Sequence, residues 1–513
     1  MNSESIVTNA ETDEFLDIFS TDENIDYEKP VVTRRDIMHN RAVRAGIINA
    51  DEELPSYIIE KQNEKTGETS YSVHTSILAD FIRKRCTFVS VQDKFSKSNR
   101  IFWYEGGVYK QINDDTLQGY IKRYITDIDI SLLRMRDVWE VAKDLRTDLK
   151  FVREDIFNSD ENIINFRNGV FSLSDGRLYP HSPEFYSTVQ IPCDYDPKKI
   201  SCPNFCKYLN DLTQNDKDKQ RFFMQYMGVA ISNIQADRMK KMLFLCGEGN
   251  SGKSKILELT QRLLGDDNIA VCNLKDLEEK FGTSALYHKR LAGHGDMSAL
   301  SVDEISTIKT LTGGDSVRGE FKGGNIFNFR FHGLLWFCTN QLPRFGGDKG
   351  EHVYERFIIM NIRHSIPESK RDNALADKMY AERTAIINLL IPEIKQVVAN
   401  GYKFDIPSDC VQNIEEYKIE NSPVRQFYDE CCVMRNNLYI DAADRSTKGN
   451  VFKAFQEWYK DNVGNRYQVS AQTFRKETMQ HLGYSSVEEM EVHKRFGNFY
   501  TFELTEQARK EYL

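Results

Sequence analysis

Eight consecutive residues, Gly247-Glu248-Gly249-Asn250-Ser251-Gly252-Lys253-Ser254, follow the pattern G-x-x-x-x-G-K-[ST]. Gly247, Gly249 and Gly252 lack a β-carbon, so the backbone there can curl and aim its N–H groups at phosphate oxygens. Lys253 would bring an ammonium to the β- and γ-phosphates, and the Ser254 hydroxyl would ligate Mg²⁺. The flanks give the pattern its weight. Met242-Leu-Phe-Leu-Cys246 is an apolar run of strand character, and Ile256, Leu257, Leu259, Leu263 and Leu264 recur behind it at helical spacing. Strand, glycine turn and helix in that order predict a phosphate-binding loop, with the helix N-terminus adding its positive end. The expected ligand is a nucleoside triphosphate, ATP with Mg²⁺.

Three polar residues downstream stand where such chemistry needs them. Leu291-Ala-Gly-His-Gly-Asp296 reads as a short strand ending in an acid, which makes Asp296 the candidate carboxylate for Mg²⁺; a surface-turn aspartate is the competing reading. Asp303 and Glu304 follow as weaker candidates for activating water. Gly333 to Thr339 reads as a strand ending at Asn340, whose amide could orient an attacking water. Arg356 precedes another apolar strand, Phe357-Ile-Ile-Met360, from which a guanidinium could reach a neighbouring subunit's site and stabilise transition-state charge. Between these motifs, residues 308–315 and 321–329 read as a helix, a turn and a hairpin with Lys322 near its tip.

The elements that must position these residues are legible as well. At 513 residues and 40% hydrophobic content the chain is long enough for several cored domains. The segment from about 206 to 400 alternates strand and helix patterns around the glycine loop, the signature of an α/β nucleotide-binding core. Before it, a mixed region over 70–205 has helical patterns at 77–85, 114–126 and 135–147. It also has hairpins turning at Gly106-Gly107 and Asn168-Gly169. Residues 421–513 form a separate unit, with helical patterns at Val424–Val433, Lys448–Val463 and Ala471–Leu482, then a hairpin at 490–504; together these suggest a winged-helix-like module. Residues 1–60 make an acidic tail and linker. Its first 28 residues hold nine acids (Glu11, Asp13, Glu14 and Asp17 among them) and no Lys or Arg, a composition expected to stay disordered. Phe15, Leu16, Ile18 and Phe19 within it allow a docking peptide for a partner as the alternative. The net charge of −9 argues against a uniformly basic nucleic-acid coat. No apolar run approaches a membrane span, no signal peptide is evident, and ten scattered cysteines fit a reduced, cytoplasmic chain. Cys193, Cys202 and Cys206 lack a second pair of metal-ligand spacing.

In this order the motifs resemble superfamily 3 helicases, and more closely the poxvirus-type and satellite-phage-type primase-helicases of viruses, phages and mobile elements. Asn165-Phe-Arg-Asn168-Gly169-Val170, Pro192-x-Asp194-Tyr195-Asp196-Pro197 and Phe205 to Leu212 resemble the family's domain before the helicase. Ser422-Pro-Val-Arg-Gln-Phe427 and Val451-Phe-x-Ala-Phe-x-x-Trp458 resemble its C-terminal DNA-binding module. The resemblance implies an AAA+-like P-loop core, a homo-hexameric ring with ATP sites between subunits, and movement on single-stranded or forked DNA. Lys253 and Ser254 match the first motif, Asp296 the second, Asn340 the sensor and Arg356 the arginine finger. Lys309 through Lys322 match the pore-facing segment, so Lys322 and Arg318 are the expected DNA contacts. Arg475 and Lys476 on a recognition helix, with Lys494 and Arg495 on a wing, are candidates for duplex phosphates. The chain departs from the family in offering one aspartate at the second motif where many members have paired acids or a glutamate. Asp127-Ile-Asp129 resembles the metal-binding pair of archaeal-type primases, but its surroundings read as a loop between helices.

The leading expectation is an ATP-dependent DNA helicase that replicates a phage, plasmid or mobile element. Its alternatives are a translocase or origin-melting initiator, and a nucleotide-gated assembly module that recruits a separate primase, polymerase or single-strand-binding protein.

Overall fold

The computed structural model describes residues 32–91, 99–147, 149–297, 301–302, 305–323, 326–345, 351–436, 439–463 and 469–513. The acidic segment 1–28, Asp303, Glu304 and Asn325 lie outside these residues. The chain divides into two compact units, Met1–Arg85 with Asn113–Asp148, and Cys86–Ile112 with Leu149–Leu513.

The first unit is mainly helical. Thr33 and Asp36 form a reciprocal capping box that starts the Arg34–Arg44 helix. The helices Thr75–Arg85, Asp114–Thr126 and Met135–Thr147 fall where apolar residues recur every three to four positions. They bury Leu78 and Ile82, Leu117, Ile121 and Ile125, and Val138, Val141 and Leu145. Asp127 and Asp129 sit between two of them, as a helix C-cap and the N-cap of a short 3-10 turn. Asp129 pairs with Arg34 at 2.7 Å, and among the described residues no group of three metal-binding side chains exists. Asp127-Ile128-Asp129 lies in the connection between two helices.

The second unit is built on a five-stranded parallel sheet. In spatial order its strands are Ile269–Val271, Leu291–Met297, Leu334–Thr339, Met242–Gly247 and Phe357–Ile362. Both faces are covered, which explains why Met242 to Cys246 reads as an unbroken apolar run. Alternation sends Leu243 and Leu245 to one side, against Ile256, Leu257 and Leu263 of the Lys253–Leu264 helix. Phe244 and Cys246 go to the other side, where Phe244 meets Phe357 and Phe337 at ring-centroid distances of 5.5 and 6.1 Å. Leu291–Met297 can lie close to its neighbour because Gly293 has no side chain: a β-carbon there would overlap the carbonyl oxygen of Trp336. The blocking atom is backbone in the middle of the sheet. Gly293→Ala is therefore expected to cost about 3 kcal/mol, seen as a lower urea midpoint. Gly295→Ala, whose β-carbon would meet only the Ser254 side chain, Cβ at 3.5 Å and Oγ at 3.8 Å, should leave that midpoint in place.

Two smaller sheets precede this core. One orders Val108–Ile112, Arg100–Glu105, Thr87–Val91 and Lys150–Val152; the other is the Ile163–Phe166 and Gly169–Ser172 hairpin with Leu178–Tyr179. The C-terminal residues depart from expectation in two places. The first helix ends at Cys431, and Cys432–Met434 becomes a strand paired with Phe502–Leu504. The terminal hairpin is accordingly Glu491–Lys494 with Gly497–Tyr500, and a further helix, Glu506–Tyr512, closes the chain. Pairing across some seventy residues of sequence leaves no local periodicity to detect. No helix among the described residues is long and apolar enough to cross a membrane.

Candidate functional site

The glycine loop lies at the C-terminal edge of the parallel sheet, where open α/β sheets bind ligands. Gly247 has φ +150° and packs so closely that a β-carbon would overlap the carbonyl oxygen of Ile362; Gly252 has φ +91°. These glycines are obligatory for the loop's path. Its outer wall comes from unexpected quarters. The Tyr208 hydroxyl donates to the Gly252 carbonyl at 2.8 Å, the Ile366 N–H donates to Asn250 O at 2.9 Å, and Ser251 Oγ donates to Glu248 O at 2.9 Å.

Lys253 is buried, with 6% of its surface exposed, and its ammonium lies inside the loop's curl. It donates to Gly247 O at 2.6 Å and Glu248 O at 2.7 Å, and lies 3.1 Å from Ser251 Oγ and 3.2 Å from Asn340 Oδ1. An ammonium has three protons. Two are pinned to carbonyls, and the third is shared between the two longer contacts, free to turn to a phosphate oxygen. Burial is the main reason its pKa falls below the ordinary lysine value, opposed by Cys338, Cys246 and Asp296.

Ser254 Oγ donates to the carbonyl of Gly295, which sets it beside Asp296 at the end of the Leu291–Met297 strand. Asp296 is exposed, and its N–H donates to His294 Nδ1 at 3.1 Å. A hydroxyl and one carboxylate are hard oxygen donors of the kind Mg²⁺ takes when phosphates and waters complete its octahedron. The adjoining strand is tied to this one by Thr339 Oγ1, which donates to Met297 O at 2.9 Å. That bond joins the residue after Asp296 to the residue before Asn340. The structure thus gathers Gly247 to Ser254, Asp296 and Asn340 around one loop.

Arg356 is not part of that cluster. It precedes the Phe357–Ile362 strand, which runs parallel to Met242–Gly247 with Met242 opposite Phe357 and Gly247 opposite Ile362. At about 3.3 Å per residue, a strand of this length puts Arg356 roughly 17 Å from the loop, at the other edge of the sheet. There its Nη1 donates to Thr312 Oγ1 at 2.7 Å and Lys309 O at 3.2 Å, holding the end of the Ser306–Gly313 helix.

Lys322 and Arg318 are exposed on the hairpin formed by Ser316–Glu320 and Ile326–Arg330. Arg318 lies 3.9 Å from Glu320, a loose pair. Val317, Phe327 and Phe329 turn inward, and Tyr287 packs edge-on against Phe327 and Phe329 at 4.9 and 5.4 Å. Behind Tyr287, Glu154 accepts from the Tyr287 hydroxyl at 2.8 Å and Arg100 Nη2 at 2.7 Å, with His288 Nε2 at 3.1 Å. Burial pushes the Glu154 carboxyl up, but His288, Arg100 and Tyr287 outweigh it and hold the pKa below the ordinary glutamate value. The hairpin thus rests on a fixed base and presents its two cations outward. If this hairpin contacts DNA phosphates, Lys322→Ala lowers the log–log salt slope of binding by about one unit with little change in sequence preference, which anisotropy titrations across a salt series measure.

In the C-terminal residues, Lys476, Lys494 and Arg495 are exposed, but Arg475 pairs at 3.0 Å with Glu491, a buried carboxylate. Cys202 and Cys206 lie with sulfurs 3.7 Å apart, and burial pushes the Cys202 thiol up to about 12. Tyr208, Thr339 and Ile366 were missed from sequence because each acts through one long-range bond.

An α/β protein with a parallel sheet and a glycine loop at its C-terminal edge is the class this fold defines. Residues 76–214 match the family described as D5 N terminal like, and residues 245–356 match a family of unknown function, DUF5906. Putative helicase L207/L206 of Acanthamoeba polyphaga mimivirus is 25% identical over 396 residues, covering 69% of this chain and 37% of the relative. Putative helicase 184R of Invertebrate iridescent virus 6 is 22% identical over 367 residues, covering 64% and 37%. The chain thus spans little more than a third of the length of these relatives. The apo C-terminal region of NrS-1 superposes with a TM-score of 0.46 at 11% identity, covering 82% of this chain and 98% of that one. The chain is thus similar, over residues 76–214, to the D5 N terminal like family and, over most of its length, to putative helicases of viruses.

Proposed function

We propose that this protein is an ATP-dependent DNA helicase of the superfamily 3, AAA+-like kind, a ring motor that serves replication of a virus, phage or mobile element. The carrying observation is the shared ammonium: Lys253 sits 3.2 Å from Asn340 Oδ1, beside Ser254 and Asp296, at one edge of the sheet. In this reading the curled loop holds the triphosphate, and Lys253 neutralises charge that builds on the β- and γ-oxygens. Mg²⁺ would be held by Ser254 and Asp296 and would supply further neutralisation. Asn340 orients the attacking water. Arg356, remote from its own loop, completes the site of the adjacent subunit in a homo-hexamer, and Lys322 and Arg318 track single-stranded DNA.

The domain plan follows: a tail and linker over 1–60, the family's N-terminal domain over 70–205, the ATPase over 206–400 and a winged-helix-like module over 421–513. The test is strand displacement on forked DNA with ATP and Mg²⁺. Unwinding by the wild type that is lost in Lys253→Ala supports the reading. DNA-stimulated turnover without displacement would make the protein a translocase or origin-melting remodeller instead.

A further inference from the structure

The C-terminal hairpin ends in a feature that phosphate contact does not explain. Its strands close on the pair Lys494 and Gly497, which leaves Arg495-Phe496 as a two-residue tip. Phe496 is 48% exposed there, while Phe499 and Tyr500 further down the hairpin are buried. From Val492 to Phe502 the chain has no acidic residue, and His493, Lys494 and Arg495 are all exposed.

The hairpin's base is held firmly. Glu491, with 7% of its side chain exposed, takes Lys448 at 2.5 Å and Arg475 at 3.0 Å. These come from the Lys448–Asn462 and Ala471–Leu482 helices, so one buried carboxylate locks both helices to the hairpin. Arg435 Nε adds a bond to Tyr500 O at 3.1 Å, and His493 Nδ1 meets Asn498 Oδ1 across the strands at 2.8 Å. Phe496 itself rests edge-on against Phe499, with centroids 5.9 Å apart. The ring has a set direction. The Ala471–Leu482 helix, tied to the hairpin's base through Arg475, exposes Gln472, Lys476 and Gln480, one turn apart on one face. Its one acid, Glu477, accepts from Ser422 Oγ at 2.8 Å.

We propose that Phe496 is a stacking wedge for the unpaired base at a junction between single- and double-stranded DNA, with Lys494 and Arg495 on the flanking phosphates. A phenyl ring offers a phosphate nothing, but it covers the face of a base. Inside a continuous duplex both faces of each base are already covered by neighbours, so the exposed face that suits this ring is at a fork. The cations beside it supply the backbone contact that brings DNA there. This inference rests on the reading of the protein as one that acts on forked DNA.

The test uses the full chain without nucleotide, so it is independent of whether the protein unwinds. One probe is a fork with 2-aminopurine at the first unpaired position; the other is a relaxed, covalently closed circular duplex, which has no unpaired base. Stacking is worth roughly 1–3 kcal/mol per base, so Phe496→Ala should weaken fork binding by about tenfold, abolish the change in 2-aminopurine emission, and leave closed-duplex binding unaltered. Phe496→Trp should restore both fork affinity and the emission change. Lys494→Ala with Arg495→Ala should weaken both DNAs and lower the salt slope. Equal losses on fork and closed duplex in Phe496→Ala, or no loss on either, would overturn the proposal. A wild type that fails to displace strands but still shows the Phe496-dependent emission change would sink the motor reading and leave this one standing.

Discussion

Lys253→Ala is expected to lower ATP turnover by about 10²–10³-fold or more, the loss seen when a positioned donor to developing charge is removed. The effect should fall on kcat as well as on nucleotide affinity, because in this reading the third proton of the ammonium would turn from Ser251 Oγ and Asn340 Oδ1 to oxygens whose charge grows during the reaction. The fold should survive the change. The lysine's two shortest contacts are the loop carbonyls Gly247 O and Glu248 O, of a half-buried and an exposed residue, which water can reach once the ammonium is gone. Lys253→Arg is not a conservative rescue: a planar fork does not fit a curl that grips a point charge at 2.6 and 2.7 Å. Steady-state turnover and nucleotide binding, measured beside a melting curve for each variant, separate the two effects.

Arg356 should give the second large loss, about 10³–10⁵-fold in turnover if it acts as an arginine finger in trans. The structure complicates the experiment, because the same guanidinium bonds Thr312 Oγ1 and Lys309 O. Deleting it removes both bonds and costs about 1–3 kcal/mol of local stability. Arg356→Gln keeps a donor for them while removing the charge. If Arg356 serves a neighbouring site, both Arg356→Ala and Arg356→Gln lose turnover, and only the alanine variant melts earlier. A glutamine variant that turns over normally would confine Arg356 to holding the Ser306–Gly313 helix.

Much of this arrangement was legible in the residues alone, and the reason is local. The loop's strand and helix show because five apolar residues must be buried on both faces of a sheet, and the next helix must bury one face. Glycine at 247 and 252 shows because the backbone takes conformations there that other residues resist. Asp296 and Asn340 were found as polar residues at the ends of apolar runs, and the structure sets both at the loop's edge. What stayed hidden depends on contacts far apart in the chain. Tyr208 reaches Gly252 from 44 residues away, and nothing around it announces a hydroxyl aimed at a phosphate loop. The pairing of Cys432–Met434 with Phe502–Leu504 is likewise invisible to periodicity. Arg475 reads as an exposed helix cation until Glu491, sixteen residues later, claims it. Arg356 is an intermediate case. Its place before a strand is plain in the sequence, but only the parallel register shows it to be a strand's length from its own loop.

That separation is the centre of the account, and mixing two dead variants tests it most directly. Lys253→Ala lacks a working loop but keeps Arg356; Arg356→Gln lacks the arginine but keeps the loop. Each alone should be inactive in DNA-stimulated ATP turnover. If sites form between subunits, mixing the two and allowing exchange should restore turnover, because some interfaces then join an intact Lys253 to an intact Arg356. Turnover that stays at the level of the separate variants, with mixed rings confirmed by mass, would contradict the account and place the whole site within one chain.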